Sequence, residues 1–218
     1  MKKHFLILTA LLLWSVVVTA QTETNSTTDN MQGMQTLFGN TQHIGWWVSP
    51  DFAWTQIDSK DAFLGGLSGG IIVNHVFSIG VAGYGIMNSS NFKYSGIMDN
   101  ADVYLYGGYG GLKLEYRLFP LNMVNVGFPL LIGGGAMTYS TWGPDNWNHS
   151  QGNMDYVYAW DSFFAIEPGV VVGINLLRFM RFDAGVSYRY APGINLPQTK
   201  SDLMNTFNVN MSLKFGKF

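Results

Sequence analysis

Nine ionisable side chains stand where chemistry is conceivable: Asp51, Lys113, Glu115, Arg117, Glu167, Arg181, Asp183, Arg189 and Lys214. Their spacing matters more than their number. Lys113, Glu115 and Arg117 alternate with Leu112, Leu114, Tyr116 and Leu118, and Arg181, Asp183 and Arg189 share one parity against Phe182, Ala184, Val186, Tyr188 and Tyr190. A period of two belongs to a strand, so each segment carries one ionic and one apolar face. Glu115 and Glu167 could be paired carboxylates for acid–base work. Lys113, Arg117, Arg181 and Arg189 occupy the same faces, however, and five cations against four anions are close to balance, so an ion-pair network is the plainer reading. His149-Ser150, beside Asp145 and Asp155, invites a nucleophile–base reading, but that needs hydrogen-bond reach and a third orienting group, which adjacent loop residues seldom have. His43 and His75 read as solvated. Gly65–Gly70 and Gly107–Gly111 lack the Lys-Ser/Thr and the following helix of a phosphate loop. With 11 Met but no Cys and no His cluster, no catalytic, cofactor or metal site is predicted.

Eight alternating segments must position these charges. The first spans about 43–56, with Ile44, Trp46, Val48, Phe52 and Trp54 on one face. The second covers 62–74 and reverses at Asn74-His75; the third begins with Phe77, Ile79 and Val81 and ends near Met87. After a loop at 88–100 comes Tyr104–Leu118, then a turn at Pro120-Leu121-Asn122. The fifth carries Val126, Phe128, Leu130 and Ile132, the sixth Phe164, Ile166, Val170 and Val172, and the seventh runs through 181–190. The eighth alternates Phe207, Val209, Met211, Leu213 and Phe215 with Asn208, Asn210, Ser212 and Lys214. Connections after segments two, four and six are short. Those after three, five and seven are longer, at 88–100, 143–161 and 192–202.

The first twenty residues read as a secretory signal peptide: Lys2-Lys3, an apolar run from Phe5 to Val18, and small residues before a cut after Ala20. Residues 21–42 read as a flexible periplasmic leader and 43–218 as one domain. Charged residues make up 12% of the chain, about half the share usual in soluble domains. No basic block suits nucleic acid, and zero Cys excludes disulfides.

Two architectures share this alternation. A soluble sandwich or carrier barrel turns leucines inward; a membrane barrel turns them to lipid and pairs its ions in the lumen. The uncharged faces run about nine to eleven residues, enough for a tilted strand to cross a bilayer. Trp54, Tyr104, Tyr106, Tyr139, Trp142, Trp160, Tyr188 and Tyr190 gather at the long-loop end as an aromatic girdle. These features favour an all-β, eight-stranded antiparallel up-and-down transmembrane barrel.

On these alternating faces, the loop asymmetry and the ending Phe207-x-Val-x-Met-x-Leu-x-Phe215-Gly-Lys-Phe218, the chain resembles the small eight-stranded outer-membrane barrels of Gram-negative bacteria, the OmpA/OmpX-like group, over about 43–218. Phe218 is out of phase with the 207–215 apolar face, so either the final residues bulge or the closing signal departs from the family pattern. The resemblance implies outer-membrane localisation, contact with outer-membrane lipids and recognition by the assembly machinery. It also implies a structural or surface-interaction role, with a possible ligand at 88–100, 143–161 and 192–202. A lipid-modifying enzyme and a soluble lipocalin-like carrier are the alternatives.

Overall fold

Period-two segments rich in Val, Ile, Phe and Tyr favour extended backbone over helix, and strands dominate the computed structural model, which describes residues 43–98, 101–141, 157–197 and 199–218. The expected signal peptide and leader lie outside the described residues, as do Trp142, Asp145, His149, Ser150 and Asp155. Nine strands form: β1 (Ile44–Ile57), β2 (Lys60–Val73), β3 (Phe77–Ile86), β4 (Lys93–Met98), β5 (Ala101–Leu118), β6 (Val124–Ser140), β7 (Val157–Leu177), β8 (Met180–Arg189) and β9 (Thr206–Lys217). The sheet runs β3-β2-β1-β9-β8-β7-β6-β5-β4, and a β3–β5 pairing joins its ends. Eight antiparallel strands therefore close into a barrel, with β4 as an appendage on the far end of β5.

That appendage corrects the expected loop at 88–100. Ser89–Asn91 form a 3-10 turn and Lys93–Met98 pair with β5, with a register shift between Tyr94 and Met98. The two-residue turn Asp58-Ser59 has positive φ at both central positions, the mark of a type I′ hairpin whose twist matches its strands, and Asn74 and His75 in the three-residue β2–β3 connection also have positive φ. Of the two accounts of the out-of-phase Phe218, a bulge at the end of β9 is not the one found, since the register there is regular. Lys217 pairs with Trp46, and Phe218 turns inward beneath the Arg181 guanidinium, 4.3 Å from its ring centroid.

Pairing fixes the geometry of the wall. Followed once around from Ile44 through Val73, Phe77, Tyr116, Phe128, Val170, Val186 and Val209, the register returns to β1 at Trp54, ten residues from its start. Such a stagger in eight strands implies a tilt of roughly 40° and an interior only wide enough for side chains.

Polarity divides the barrel in two along its axis. In the half nearest the short turns, large apolar side chains face out: Val81 is 67% exposed, Leu67 68% and Leu112 41%, while all nine sequence-predicted charges are buried inside. The leucine row of β5 thus lines no apolar cavity, contrary to what a lipocalin-like carrier requires. Toward the long loops the ordinary arrangement returns. Ile57, Leu64, Leu105, Met137, Tyr139 and Phe163 are buried in an inner apolar cluster, while Gln56, Asp61, Asp102 and Ser162 are exposed. β7, at 21 residues, is about twice what a tilted strand needs to cross a bilayer, so it passes through both halves.

Candidate functional site

The lumen is where the chemistry-bearing residues meet, because strand parity delivers them there. In β5 the odd positions Lys113, Glu115 and Arg117 face inward; in β8 Arg181, Asp183 and Arg189 do, and in β9 Lys214. Nearest the short-turn rim, Arg117 reaches Glu115 (Nη2–Oε1 2.5 Å) and Asp183 (Nη2–Oδ2 2.6 Å), and Lys214 Nζ lies 2.7 Å from Glu115 Oε2 and 2.9 Å from Asp183 Oδ2. Two cations and two anions close a ring. Arg117 also donates to Asn125 Oδ1.

Space for this ring depends on missing side chains. A Cβ on Gly173 would collide with Asn125 Oδ1, Arg117 Nη1 and Asp183 Oδ1, and one on Gly127 would press on the same guanidinium. One layer further in, Asp51 accepts from Lys113 Nζ (3.2 Å), Ser49 Oγ (2.8 Å), Tyr84 Oη (3.1 Å) and Ser68. A cavity of about 50 Å³ lies between these layers, bordered by Asp51, Lys113, Glu115, Asp183 and Lys214. That is room for a few water molecules.

Three of the nine charges lie outside the salt bridges. Glu167 has no cationic nitrogen within 4.0 Å among the described residues; it accepts from Tyr109 Oη (2.7 Å), Ser187 Oγ (2.5 Å) and Asn208 Nδ2 (2.8 Å). Arg189, fully buried, donates to the Met204 carbonyl (2.9 Å) and Thr55 Oγ1 (3.5 Å), with its guanidinium 4.9 Å from the Tyr109 ring centroid. Arg181 donates to Asn175 Oδ1 (2.6 Å) and the Pro120 carbonyl (3.3 Å). For these three the expected ion pairing gives way to neutral hydrogen bonds, since their nearest inward neighbours are hydroxyls, amides and carbonyls. The polar neighbours of the buried charges are not singled out by the sequence pattern: Ser49, Ser68 and Tyr84 beside Asp51, Asn125 beside Arg117, and Tyr109, Ser187 and Asn208 beside Glu167. They could have been found by asking which polar residues share parity with a charge.

Glu115 and Glu167 belong to separate hydrogen-bond sets, and among the described residues no three His, Asp or Glu side chains gather as metal ligands. His43 and His75 are stacked at 3.9 Å rather than freely solvated, because the Asn74-His75 turn folds back against the start of β1.

The girdle residues divide by phase and height. Trp54, Tyr188 and Tyr190 are exposed on the outer wall and Tyr106 is half-buried. Trp160 is also outward, but it stands six residues past Ile166, which bridges to Tyr190; at about 2.5 Å of axial rise per residue it is roughly 15 Å further out. Two assignments need correction. Tyr139 opposes Leu105 on the inner face and is wholly buried against Tyr94, and Tyr104, though outward in phase, is only 7% exposed where β4 pairs beside it.

Strand number, closure and inverted polarity can now be set beside solved structures. Neisserial surface protein A (NspA) superposes with a TM-score of 0.50 at 14% identity, covering 80% of this chain and 97% of that one. The N-terminal barrel of Pseudomonas aeruginosa OprF gives 0.43 at 9% (78% and 96%), and Yersinia pestis Ail, in complex with the heparin analogue sucrose octasulfate, gives 0.46 at 11% (79% and 97%). No protein-family model matches this sequence, and no curated protein does. The chain has the fold of the small eight-stranded outer-membrane barrels.

Proposed function

We propose that this barrel is an integral protein of the bacterial outer membrane, exported through its N-terminal signal peptide, non-catalytic, and acting as a structural or surface-interaction module without a wide pore. The observation that carries this reading is the reversal of polarity along shared strands. Side chains such as Phe52, Leu67, Val81, Leu112, Phe128, Val170 and Met211 face outward, half or more exposed in most cases, in a belt that water would penalise and lipid would not. Trp54, Tyr188 and Tyr190 mark the upper edge of that belt, where amphipathic rings suit the headgroup layer. The assembly machinery would receive β9 as the closing strand.

Transport is disfavoured by the lumen itself. Paired charges block it near the short-turn rim and packed apolar side chains block it near the other. The described parts of loops 88–100 and 192–202, namely 88–98, 192–197 and 199–202, fold largely onto the barrel, so a surface partner would meet the outward side of the β4–β7 extension, where Val157 and Trp160 are 58% and 68% exposed. Large exposed aromatics commonly anchor interfaces.

Fractionation tests the reading directly. The folded protein should stay with outer membranes and migrate differently on a gel before and after boiling; recovery in the soluble periplasmic fraction would overturn it. In planar bilayers it should give no steady large-step conductance.

A further inference from the structure

The segment between β8 and β9 runs inward instead of standing off the surface. Ala191, Ile194, Leu196, Leu203 and Met204 are almost fully buried, in the same apolar cluster as Leu64, Leu105, Met137, Tyr139 and Phe163 of the wall. Residues 191–197 and 199–205 thus fill the long-loop mouth of the barrel, with Gln198 outside the described residues. Yet they belong to no strand; the nearest ladder contact is the Ile166–Tyr190 bridge at their root. Among the described residues a handful of polar contacts ties them to the walls, a Tyr139–Thr199 hydrogen bond among them. Asn195 N donates to Asp161 Oδ2 (2.6 Å), Tyr139 Oη to the Pro197 carbonyl (3.4 Å) and Arg189 Nε to the Met204 carbonyl (2.9 Å), while Asn205 Oδ1 pins the root by accepting from Ala191 N (2.6 Å). There is no cysteine to tie the segment down.

Directly beneath lies Arg189, buried, with no carboxylate within 4.0 Å among the described residues and with Nη1 unpartnered. Glu167 is linked to it only through Tyr109, whose hydroxyl donates to Glu167 and whose ring carries the guanidinium. A desolvated cation without a counter-ion is costly. Lifting the segment would expose apolar side chains but hydrate Arg189. Two opposed terms of this kind make a two-state element.

We infer that residues 191–197 and 199–205 form a releasable stopper, held shut by apolar burial and biased toward opening by the uncompensated charge of Arg189. Arg189 is thus a positioning residue with two roles: one hydrogen bond favours the closed state, and its desolvation opposes it more strongly. Opening admits water from the long-loop side to Arg189 and Glu167, while the ionic ring of Glu115, Arg117, Asp183 and Lys214 keeps the barrel sealed below.

A cysteine-free chain makes the test simple. Leu105→Cys, on the wall under the stopper, is introduced into the full chain reconstituted in lipid vesicles and treated with a membrane-impermeant maleimide. Leu131→Cys, deeper in the wall, is the control, and a boiled-versus-unboiled gel confirms that each variant is folded; Met204→Cys replaces the reporter if Leu105→Cys does not fold. Leu105→Cys should label faster than Leu131→Cys. Adding Asn205→Ala should speed it about fivefold, the size expected for one lost hydrogen bond. Arg189→Met should slow it by a similar factor, because an apolar isostere removes the drive to open. Equal rates at the two cysteines, indifference to both substitutions, or faster labelling in Arg189→Met would each overturn the proposal.

Discussion

At the scale of single residues, the ionic ring is the least forgiving part of the molecule. Arg117 holds Glu115 and Asp183 apart and neutralises both. Replacing it with Leu leaves two buried carboxylates with Lys214 as their shared cation, and should destabilise the barrel by about 3–5 kcal/mol in urea unfolding from lipid vesicles. Gly173→Ala should produce a loss of the same kind without changing any charge, because the added methyl group occupies the space where Arg117, Asn125 and Asp183 meet. His43 supplies a pH-dependent effect. Desolvation, then the neighbouring His75 and Lys217, hold its pKa below the ordinary 6.5. The unfolded chain therefore binds the proton more readily than the folded one. Stability from this site is present above pH 6.5 and is lost as the pH falls toward and below the depressed folded-state pKa. His43→Gln should flatten the unfolding midpoint between pH 5 and 7.5; an unchanged slope would assign the dependence elsewhere.

At the scale of elements, all eight sequence segments map onto strands on the expected faces, because alternation survives whichever side meets lipid. Phe207 to Phe215 in β9 and Phe182 to Tyr190 in and just past β8 are the clearest instances. The difference lies in the connection that follows the third segment: beyond β3 the chain makes a 3-10 turn and resumes as β4, with Asn88 tying that corner by accepting from Phe63 N and donating to the Asp61 carbonyl. Such a corner has no period to detect. Tyr139 lies near a loop, which suggests a girdle position, but its parity with Met137 and Leu131 points it inward. The outer apolar core was hidden for a related reason. Leu105, Ile57 and Leu64 look like ordinary members of inner or outer faces until the height of each strand is known, and height depends on a stagger that only pairing reveals. Turns were more readable. Asp58-Ser59 holds two non-glycine residues at positive φ, where Gly is at ease. Ser59→Gly should therefore stabilise the hairpin by about 0.5–1 kcal/mol, measured as a higher unfolding midpoint.

At the scale of the whole molecule, a single substitution separates the two possible surroundings. Val81 is 67% exposed on the outer wall, between the lower band of Phe77 and Tyr116 and the upper band of Trp54 and Tyr188. In water, an Arg at such a position would scarcely matter. In a bilayer, Val81→Arg should cost about 2–4 kcal/mol. Equilibrium unfolding in lipid vesicles against a detergent-free aqueous refolding attempt tells them apart.

One topological detail has a consequence for the life of the chain before it is finished. β1 is hydrogen-bonded to β9, from Trp46–Lys217 to Thr55–Asn208. Any product cut short of β9 therefore keeps two raw edges, each free to zip onto another copy. Such a fragment leaves both edges unsatisfied, so interrupted synthesis yields a clumping, protease-prone remnant instead of a smaller working protein.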